Sequence, residues 1–309
     1  MIESIIQSQL VSVIIPAYNV ESYITDSINS ALGQTWSNIE VIVINDGSTD
    51  NTLKSINEFK DQITIISQEN MGVSAARNNA VKQANGKWIA FLDGDDIWES
   101  EKIEKQLAQT QITKTRWSHT NSKYFGATID KQSYRSDYTE MYHGNVFSKI
   151  ILSNFITTST ILMERTLYFE YDGMNESLDA LEDWELWVRI AKKHPIGYIP
   201  ESLTDYRVYP GSTSRKARWV LPLHKKVIKR IFTEIVDEPM LKKLESDALR
   251  NSFSICAYIA ENSNDHVYAF KCWSMAIITK PLDTQLWIPA FKSFVKMVIS
   301  SLNLNNKMK

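Results

Sequence analysis

The stretch VSVIIPAYN (residues 11–19) decides the fold of this chain. It begins as an almost unbroken β-branched apolar run and ends at a proline followed by polar residues. A run of this kind, without apolar–polar alternation, is typical of a strand buried on both faces in a parallel sheet under helices. Similar short runs occupy residues 40–46, 63–67 and 87–93. The sequence therefore predicts four strands in its first hundred residues.

Helical patterns separate these runs. They cover residues 22–32, 49–59 and 74–84, and the third begins at a serine and stops before Asn85-Gly86. Strand and helix alternating at this spacing predict an open α/β sheet. Ligands of such sheets bind outside the carboxyl ends of the strands.

The rest of the chain is less regular. After residue 110 the pattern weakens, and strand signals return at residues 157–164, before a helix that starts at Glu182. From residue 215 onward we expect helices, with boundaries at prolines. The predicted organisation is one α/β half over 1–110, a second half over 111–214 and a helical region over 215–309. The boundary prolines are Pro222, Pro239, Pro281 and Pro289.

Composition limits the classes of function. The 309 residues are 43% hydrophobic and 23% charged, as in ordinary globular proteins. A net charge of −2 argues against a nucleic-acid partner. Cys256 and Cys272 lie too far apart, and too far from histidines, for a disulfide framework or a zinc site, so they indicate a reducing setting. With no basic start and no apolar run of about 20 residues, we expect a cytoplasmic protein.

An acidic cluster follows the fourth predicted strand. Asp93, Asp95 and Asp96 fall within FLDGDD (residues 91–96). Carboxylates this close raise one another's pKa unless a cation neutralises them, and such hard oxygen ligands suit Mg²⁺ or Mn²⁺. The alternating spacing lets Asp93 and Asp95 diverge, one toward a metal and one toward a hydroxyl. A solvated turn with a helix-capping aspartate is the alternative.

A second acid follows the second predicted strand. Asp46 lies in INDGSTD (residues 44–50), where it can accept a hydrogen bond from a base or sugar and where Gly47 permits a tight exit. The alternative is a plain strand–turn–helix junction that Ser48 or Thr49 caps.

Two further motifs lie at helix starts. Arg77 in GVSAARN (residues 72–78) could bind a phosphate or a nucleobase, or could be a surface arginine. Glu182 and Asp183 in LEDWELW (residues 181–187) suit the positive end of a helix dipole. Alternatively, one of them acts as a general base in an acceptor cleft walled by the neighbouring tryptophans.

Together these motifs resemble those of family 2 glycosyltransferases with the GT-A fold, a Rossmann-like α/β sheet with nucleotide-binding and acceptor-binding halves, here with a C-terminal helical extension. The matching segments are VSVIIPAYN, VINDGSTD, GVSAARN, FLDGDD and EDWELWVR, which span residues 11–189. The resemblance implies a nucleotide-sugar-binding half over 1–110 and an acceptor-binding half with the catalytic base over 111–214. It implies inverting transfer from a nucleoside diphosphate sugar, UDP-sugar above all, to an acceptor hydroxyl of a cell-surface glycan or a lipid-linked oligosaccharide.

The same resemblance implies roles for individual residues. Asp183 would be the catalytic base, and Asp95 would coordinate the divalent metal ion, Mn²⁺ or Mg²⁺. The donor would be bound by Pro16, Ala17, Tyr18, Asn19, Asp46, Arg77, Asp93 and Gly94.

The sequence departs from the family pattern at two positions. Asn45 replaces the first aspartate of the usual Asp-Asp-Gly-Ser, and Tyr209 occupies a position that is often histidine. Other activities also stay open: a polyprenyl-phosphate sugar synthase, and a catalytically silent nucleotide-sugar-binding scaffold. A sugar-1-phosphate nucleotidyltransferase fits poorly, because PAYNVESY after the first strand lacks glycine and basic residues.

The C-terminal segment 288–309 carries four lysines and no acid. Its apolar residues recur at helical spacing, a pattern typical of helices that lie on an anionic membrane surface. This predicts peripheral contact with the inner face of the plasma membrane. A helix packed on the domain with solvated lysines is the alternative. The apolar residues are Phe291, Phe294, Val295, Val298 and Leu302, and the lysines are Lys292, Lys296, Lys307 and Lys309.

Overall fold

A computed structural model describes residues 9–127, 129, 131–209, 212 and 215–307, with side chains as far as Ser300. The strands in that part of the chain are β1 Val11–Ala17, β2 Ile39–Asp46, β3 Thr64–Gln68, β4 Trp88–Phe91, β5 Ile97–Trp98, β6 Trp117–Phe125, β7 Ser133–Tyr134, β8 Leu162–Glu164 and β9 Gly197–Arg207. They form one mixed sheet in the order β3-β2-β1-β4-β8-β6-β9-β5, with β7 paired to β6.

The four predicted N-terminal strands form the parallel part of this sheet. Strand β1 lies between β2 and β4, and β3 lies outside β2. Val11, Val13 and Ile15 are fully buried in the core cluster on one side, as expected for a strand covered on both faces. Because these strands run in one direction, their carboxyl ends share one edge.

The second part of the sheet is mixed. Strand β8 is antiparallel to β4 and to β6, whereas β9 runs parallel to β6 and antiparallel to β5. Strand β6 carries no clear apolar pattern, since it buries polar side chains: Ser118, His119 and Ser122 are all 0% exposed. The strand predicted over 157–164 begins as a 3₁₀ turn, Thr158–Thr160, and only Leu162–Glu164 is extended.

The α-helices that precede β9 in the chain are α1 Ile24–Leu32, α2 Thr52–Asn57, α3 Val73–Gln83, α4 Lys102–Thr113, α5 Phe147–Ile150, α6 Arg165–Glu170 and α7 Glu182–Ala191. Helices α1, α2, α3 and α7 confirm the four helical patterns of the sequence within a few residues at each end. In α7 the indoles of Trp184 and Trp187 are fully buried. The expectation that they wall an acceptor cleft is wrong, because both rings belong to the core.

The C-terminal helices are α8 Ala217–Arg230, α9 Pro239–Lys242, α10 Glu245–Asn262, α11 His266–Thr279 and α12 Trp287–Lys307. Cys256 and Cys272 are free thiols in the buried core of this region. Pro239 starts α9, and Pro281 follows the end of α11 as predicted. The boundary predicted at Pro222 is wrong: this residue lies inside α8, which gives up a backbone hydrogen bond there but continues. Pro289 lies in the first turn of α12.

Contacts between Cα atoms divide the chain into two compact units. One holds the described residues up to Phe147 together with Asn154–Tyr209, and the other holds Ser148–Ser153 together with the described residues from Ser212 onward. Across the residues with described placement, we find no helix that combines the length and apolarity needed to cross a membrane.

Candidate active site

The loops after β1 and β2 are bonded to each other. The Asn19 backbone adopts a left-handed conformation (φ 53°). Its side-chain Oδ1 accepts a hydrogen bond from the Thr49 backbone N–H (2.8 Å), and its own N–H donates to Ser48 Oγ (3.1 Å). Pro16 and Ala17 are the last residues of β1, and the neighbouring Tyr18 leaves 47% of its surface exposed. These residues therefore form a fixed rim with one exposed aromatic ring.

Asp46 is a buried acceptor at the end of β2, with 4% of its surface exposed. Its Oδ1 accepts hydrogen bonds from Gln68 Nε2 (2.7 Å) and the Met71 N–H (2.9 Å), and its Oδ2 accepts from the Gly72 N–H (2.9 Å). These contacts fix the carboxylate in a single orientation. A carboxylate can accept about four hydrogen bonds, so Oδ2 keeps capacity for a ligand donor.

The asparagine at position 45, one of the two departures from the family pattern, fits its structural surroundings. Its side chain is buried, and its Oδ1 accepts a hydrogen bond from the Ser48 N–H (3.2 Å) across the turn. That contact uses only an acceptor oxygen, which an asparagine and an aspartate both supply. The amide keeps the turn and adds no further negative charge to an acidic edge.

Gly94 lets the acidic turn approach β1. A Cβ atom at this position would lie 2.9 Å from the Pro16 carbonyl oxygen. The turn therefore carries Asp93 and Asp95 directly beside the rim. Burial, and next the charge of Asp93, raise the pKa of Asp95 to about 6. A carboxyl in such surroundings favours either a proton or a cation.

Asp96, which had no predicted role, is a structural acid. It is 1% exposed, and its carboxylate accepts hydrogen bonds from Ser159 Oγ (2.6 Å) and from the Arg207 N–H (2.9 Å). Its backbone oxygen accepts from Ser27 Oγ (2.7 Å). Burial, followed by the charges of Asp95 and Asp93, raises its pKa. Asp96 thus ties the acidic turn to α1, to the 3₁₀ turn before β8 and to β9.

Arg77 joins two of the predicted motifs. Its Nη2 lies 2.5 Å from Asp93 Oδ1 and its Nη1 lies 2.5 Å from Glu182 Oε1, and only 4% of its side chain is exposed. Burial would lower its pKa, but the negative charges of Asp93 and Glu182 outweigh that effect and raise it. The interpretation as a surface arginine is wrong, since the guanidinium is buried between two acids.

Asp183 follows Glu182 in the first turn of α7. Its Oδ2 accepts hydrogen bonds from Thr158 Oγ1 (2.9 Å) and Asn154 Nδ2 (3.2 Å), and its Oδ1 accepts from the Trp184 N–H (2.6 Å). Burial raises its pKa, although the Thr158 contact opposes the shift. The preceding Leu181 has φ 63°, an unusual conformation for a branched residue. These contacts hold the carboxylate in a fixed position.

The end of β9 contacts the acidic turn as well. Arg207 Nε donates to the Asp95 carbonyl oxygen (2.7 Å), and the guanidinium lies 4.7 Å from the Tyr23 ring centroid. Tyr209 makes a side-chain hydrogen bond with Asp95 and packs its ring 4.9 Å from that of Tyr23. The tyrosine at the histidine-like position therefore touches the predicted metal ligand directly.

Comparisons with known proteins identify the family. The family model described as glycosyl transferase family 2 matches residues 12–165. The UDP-Glc:alpha-D-GlcNAc-diphosphoundecaprenol beta-1,3-glucosyltransferase WfaP of Escherichia coli is 36% identical over 214 residues, which cover 67% of this chain and 80% of WfaP. The chain belongs to glycosyl transferase family 2. This family consists of transferase enzymes.

Two further matches qualify and extend this assignment. An uncharacterized glycosyltransferase of Rickettsia felis is 36% identical over 217 residues, 69% of this chain, but the match spans only 35% of that longer protein. The crystal structure of S. aureus TarS 1-349 in complex with UDP superposes with a TM-score of 0.63 at 20% identity, over 96% of this chain and 91% of that one. The fold of this family 2 member is therefore GT-A.

The residues at the acidic turn fit a divalent cation bound jointly with a ligand. Nowhere in the described residues do three or more His, Cys, Asp or Glu side chains form a group that could hold a metal. Asp95 offers one carboxylate, whose pKa is raised first by burial and then by the charge of Asp93. Asp93 itself is paired with Arg77. Mg²⁺-type sites commonly use one or two carboxylates and complete their shell with water and substrate phosphates. The donor set here matches that type.

Some residues of this family 2 site were missed from the sequence. Thr158, Ser159 and Asn154 contact Asp183, Asp96 or Asp93, yet they lie in a polar segment without a motif. Arg207 lies in a segment recognised by resemblance, but its contacts with the acidic turn had no local signal. A run of serine and threonine before a short strand was the only hint, and it is common in loops.

Proposed function

We propose that this chain transfers a sugar from a UDP-sugar to an acceptor hydroxyl with inversion at the anomeric carbon. The observation that carries the proposal is the bridge of Arg77 between Asp93 and Glu182. It holds the acidic turn next to the motif that contains Asp183. Groups suited to a nucleoside diphosphate and a carboxylate suited to proton transfer therefore lie at one edge of the sheet.

The donor would bind across the ends of β1, β2 and β4. The exposed Tyr18 ring would lie against the base, and the fixed Oδ2 of Asp46 would accept a base N–H. Asp93 would approach the ribose, and Gly94 would let the turn lie close to the nucleotide. Arg77 would lie near the nucleobase and the diphosphate of the donor, and its main role would be to hold Asp93 in place.

Asp183 would accept the proton of the attacking hydroxyl. Burial raises its pKa, which brings the carboxylate closer to the basicity that general-base catalysis favours. The hydrogen bonds from Thr158 and Asn154 would orient it during attack from the face opposite the leaving diphosphate.

Asp95 would hold the metal ion, Mn²⁺ or Mg²⁺, together with the donor diphosphate. When bound, that ion neutralises the charge that grows on the departing diphosphate. The hydrogen bond from Tyr209 would have to weaken as the carboxylate turns toward the cation, so Tyr209 would influence how tightly the metal binds.

For the acceptor we propose the hydroxyl of a lipid-linked or cell-surface glycan. The name of WfaP specifies a lipid-linked sugar acceptor, which supports this class. A phosphate acceptor, as in a polyprenyl-phosphate sugar synthase, would need little base catalysis and would be repelled by the negative charge of Asp183. A catalytically silent scaffold would not need Asp183 to be held in place by hydrogen bonds from Asn154 and Thr158.

A donor screen tests the proposed function. We expect release of UDP from at least one UDP-sugar in the presence of Mn²⁺ and acceptor glycolipid, with loss of release in EDTA and recovery on adding Mn²⁺ in excess. Asp95→Ala should lose the metal-dependent UDP release, whereas the control Asp179→Ala, at an exposed residue, should keep it. Absence of metal-dependent UDP release across the common UDP-sugars would contradict the proposal and favour a scaffold.

We also propose that α12 places the enzyme on the cytoplasmic face of a membrane, near a lipid-linked acceptor. One side of this helix leaves seven large apolar side chains between 38% and 67% exposed, and at 100° per residue they fall on a single arc. Lys292 and Lys296 lie at one border of that arc, with Lys296 Nζ 3.8 Å from Glu261 Oε2. Leu302, Lys307 and Lys309 lie outside the described side chains. The arc consists of Trp287, Ile288, Phe291, Phe294, Val295, Val298 and Ile299.

Vesicle binding tests this contact. Because a lysine near an anionic surface contributes roughly 1 kcal/mol, we expect binding to phosphatidylglycerol vesicles that weakens at high salt, and much weaker binding to phosphatidylcholine. Phe291→Glu should abolish it. The control Ile112→Glu, at a residue 78% exposed in α4, should bind like the wild type. If Phe291→Glu binds the vesicles as well as Ile112→Glu does, the proposed membrane contact of α12 is contradicted.

A further inference from the structure

Three tyrosines form an aromatic group that the proposed function does not yet use. Tyr124 near the end of β6 pairs with Tyr206 in β9, and their ring centroids lie 5.7 Å apart edge to face. Tyr138, just after the 3₁₀ turn Arg135–Asp137, packs edge-on against Tyr124 at 5.6 Å. We call Tyr124, Tyr138 and Tyr206 the tyrosine platform.

The platform leaves a large aromatic surface in water. Tyr138 is 70% exposed, whereas the rings of Trp117 and Trp187 are completely buried. The ring is nevertheless held by an edge contact. An exposed aromatic ring with a fixed orientation is a typical ligand contact, because it offers apolar area at a small entropic cost.

The platform is connected to the proposed base. Arg135 Nη1 donates to the Tyr124 hydroxyl (3.2 Å), and its Nη2 donates to the Asn154 carbonyl oxygen (2.6 Å). The side chain of Asn154 in turn donates to Asp183 Oδ2 (3.2 Å). One arginine and one asparagine therefore fix the position of Tyr124 relative to that of Asp183.

The platform also adjoins the acidic turn through β9. Tyr206 is followed by Arg207, which donates to the Asp95 carbonyl oxygen and, through its backbone N–H, to the Asp96 carboxylate. The tyrosines thus lie in strands and turns whose neighbouring residues contact both the proposed base and the turn of the proposed metal ligand. A molecule resting on them would be part of the acceptor side of the site.

We propose that the tyrosine platform binds the pyranose ring of the acceptor. The C–H groups on one face of a pyranose carry a small positive charge and suit the negative face of an aromatic ring. Tyr138 would supply that face, and Tyr124 and Tyr206 would hold it in place. The inference rests on the proposed function, since it assigns the substrate class of that site as a sugar rather than a bare lipid phosphate.

The test measures acceptor binding separately from turnover. In saturation-transfer NMR we expect the methyl α-glycoside of N-acetylglucosamine to bind the wild type without donor. We expect binding to be lost in Tyr138→Ala but kept in Tyr138→Phe, which retains the ring. In transfer assays Tyr138→Ala should raise the acceptor KM about tenfold, the scale of one aromatic contact, with the donor KM and acceptor-independent UDP release unchanged.

Tyr258→Ala serves as the matched control, because Tyr258 is a 53% exposed tyrosine of the helical unit. It should behave like the wild type, and thermal unfolding should show all variants folded. Three results would contradict the proposed sugar contact. They are an acceptor KM unchanged in Tyr138→Ala, a donor KM that rises as much as the acceptor KM in that variant, and a Tyr138→Phe variant as defective as Tyr138→Ala. If no UDP-sugar supports transfer, the proposed function fails, while the NMR comparison still decides the sugar site.

Discussion

Asp183→Asn should reduce sugar transfer at least about a thousandfold, within the range expected for loss of a general base. The amide can still accept from Thr158 Oγ1, which now contacts Asp183 Oδ2 at 2.9 Å, so the local structure should persist. It cannot take the proton of the acceptor hydroxyl. Donor KM should stay within about twofold of the wild type, because Asp183 lies on the acceptor side of the proposed site. Steady-state transfer kinetics with saturating acceptor measure both quantities.

The matched control is Asp179→Asn, an exposed acid four residues earlier in the chain. It should retain wild-type turnover, which would exclude a general effect of removing negative charge from this segment. If Asp183→Asn keeps a turnover above about a tenth of that of the wild type, Asp183 is not the general base. Glu182 would not replace it readily, because its carboxylate is engaged 2.5 Å from Arg77.

Arg77→Met should destabilise the fold by about 3–5 kcal/mol, the usual loss when one partner of a buried ionic group is removed. Asp93 and Glu182 would then face each other without the shared guanidinium, in a site where only 4% of the Arg77 side chain reaches solvent. Urea unfolding followed by circular dichroism measures this difference. Transfer activity of the folded fraction should fall too, since Asp93 loses its fixed position.

A double variant separates charge from packing. Arg77→Met combined with Glu182→Gln should recover part of the lost stability, because it removes one uncompensated acid. Arg116→Met is the control: Arg116 pairs with Glu164 and Glu170 while 31% exposed, and such pairs contribute at most about 1 kcal/mol. If Arg77→Met lowers the free energy of unfolding no more than Arg116→Met does, the stabilising role of the Arg77 bridge is contradicted.

The positions of the site motifs could be predicted because parallel strands impose them. VSVIIPAYN, the run before Asp46 and the run before Asp93 are continuous apolar strands, and strands running in one direction end at the same edge. Polar residues directly after such runs must therefore meet. This local rule predicts from the sequence alone that Asn19, Asp46 and Asp95 lie at one edge of the sheet.

The contacts between distant segments could not be predicted in the same way. Whether Arg77 faces water or Glu182 depends on packing across more than a hundred residues of sequence, and the helix pattern permits either. The sequence around Trp184 and Trp187 is likewise compatible with either a cleft or a core. Only the packing of α7 in the folded protein shows that both rings are buried. Strand β6 was missed because its buried serines and His119 carry no apolar signal.

The anomeric configuration of the first product tests the central claim most directly. With Asp183 as base and no nucleophile on the enzyme, attack by the acceptor hydroxyl displaces UDP in one step and inverts the anomeric carbon. Proton NMR of the glycoside formed from a UDP-α-sugar should therefore show only the β-anomer from the earliest time points. A product of retained α configuration would require a different mechanism and would contradict the account.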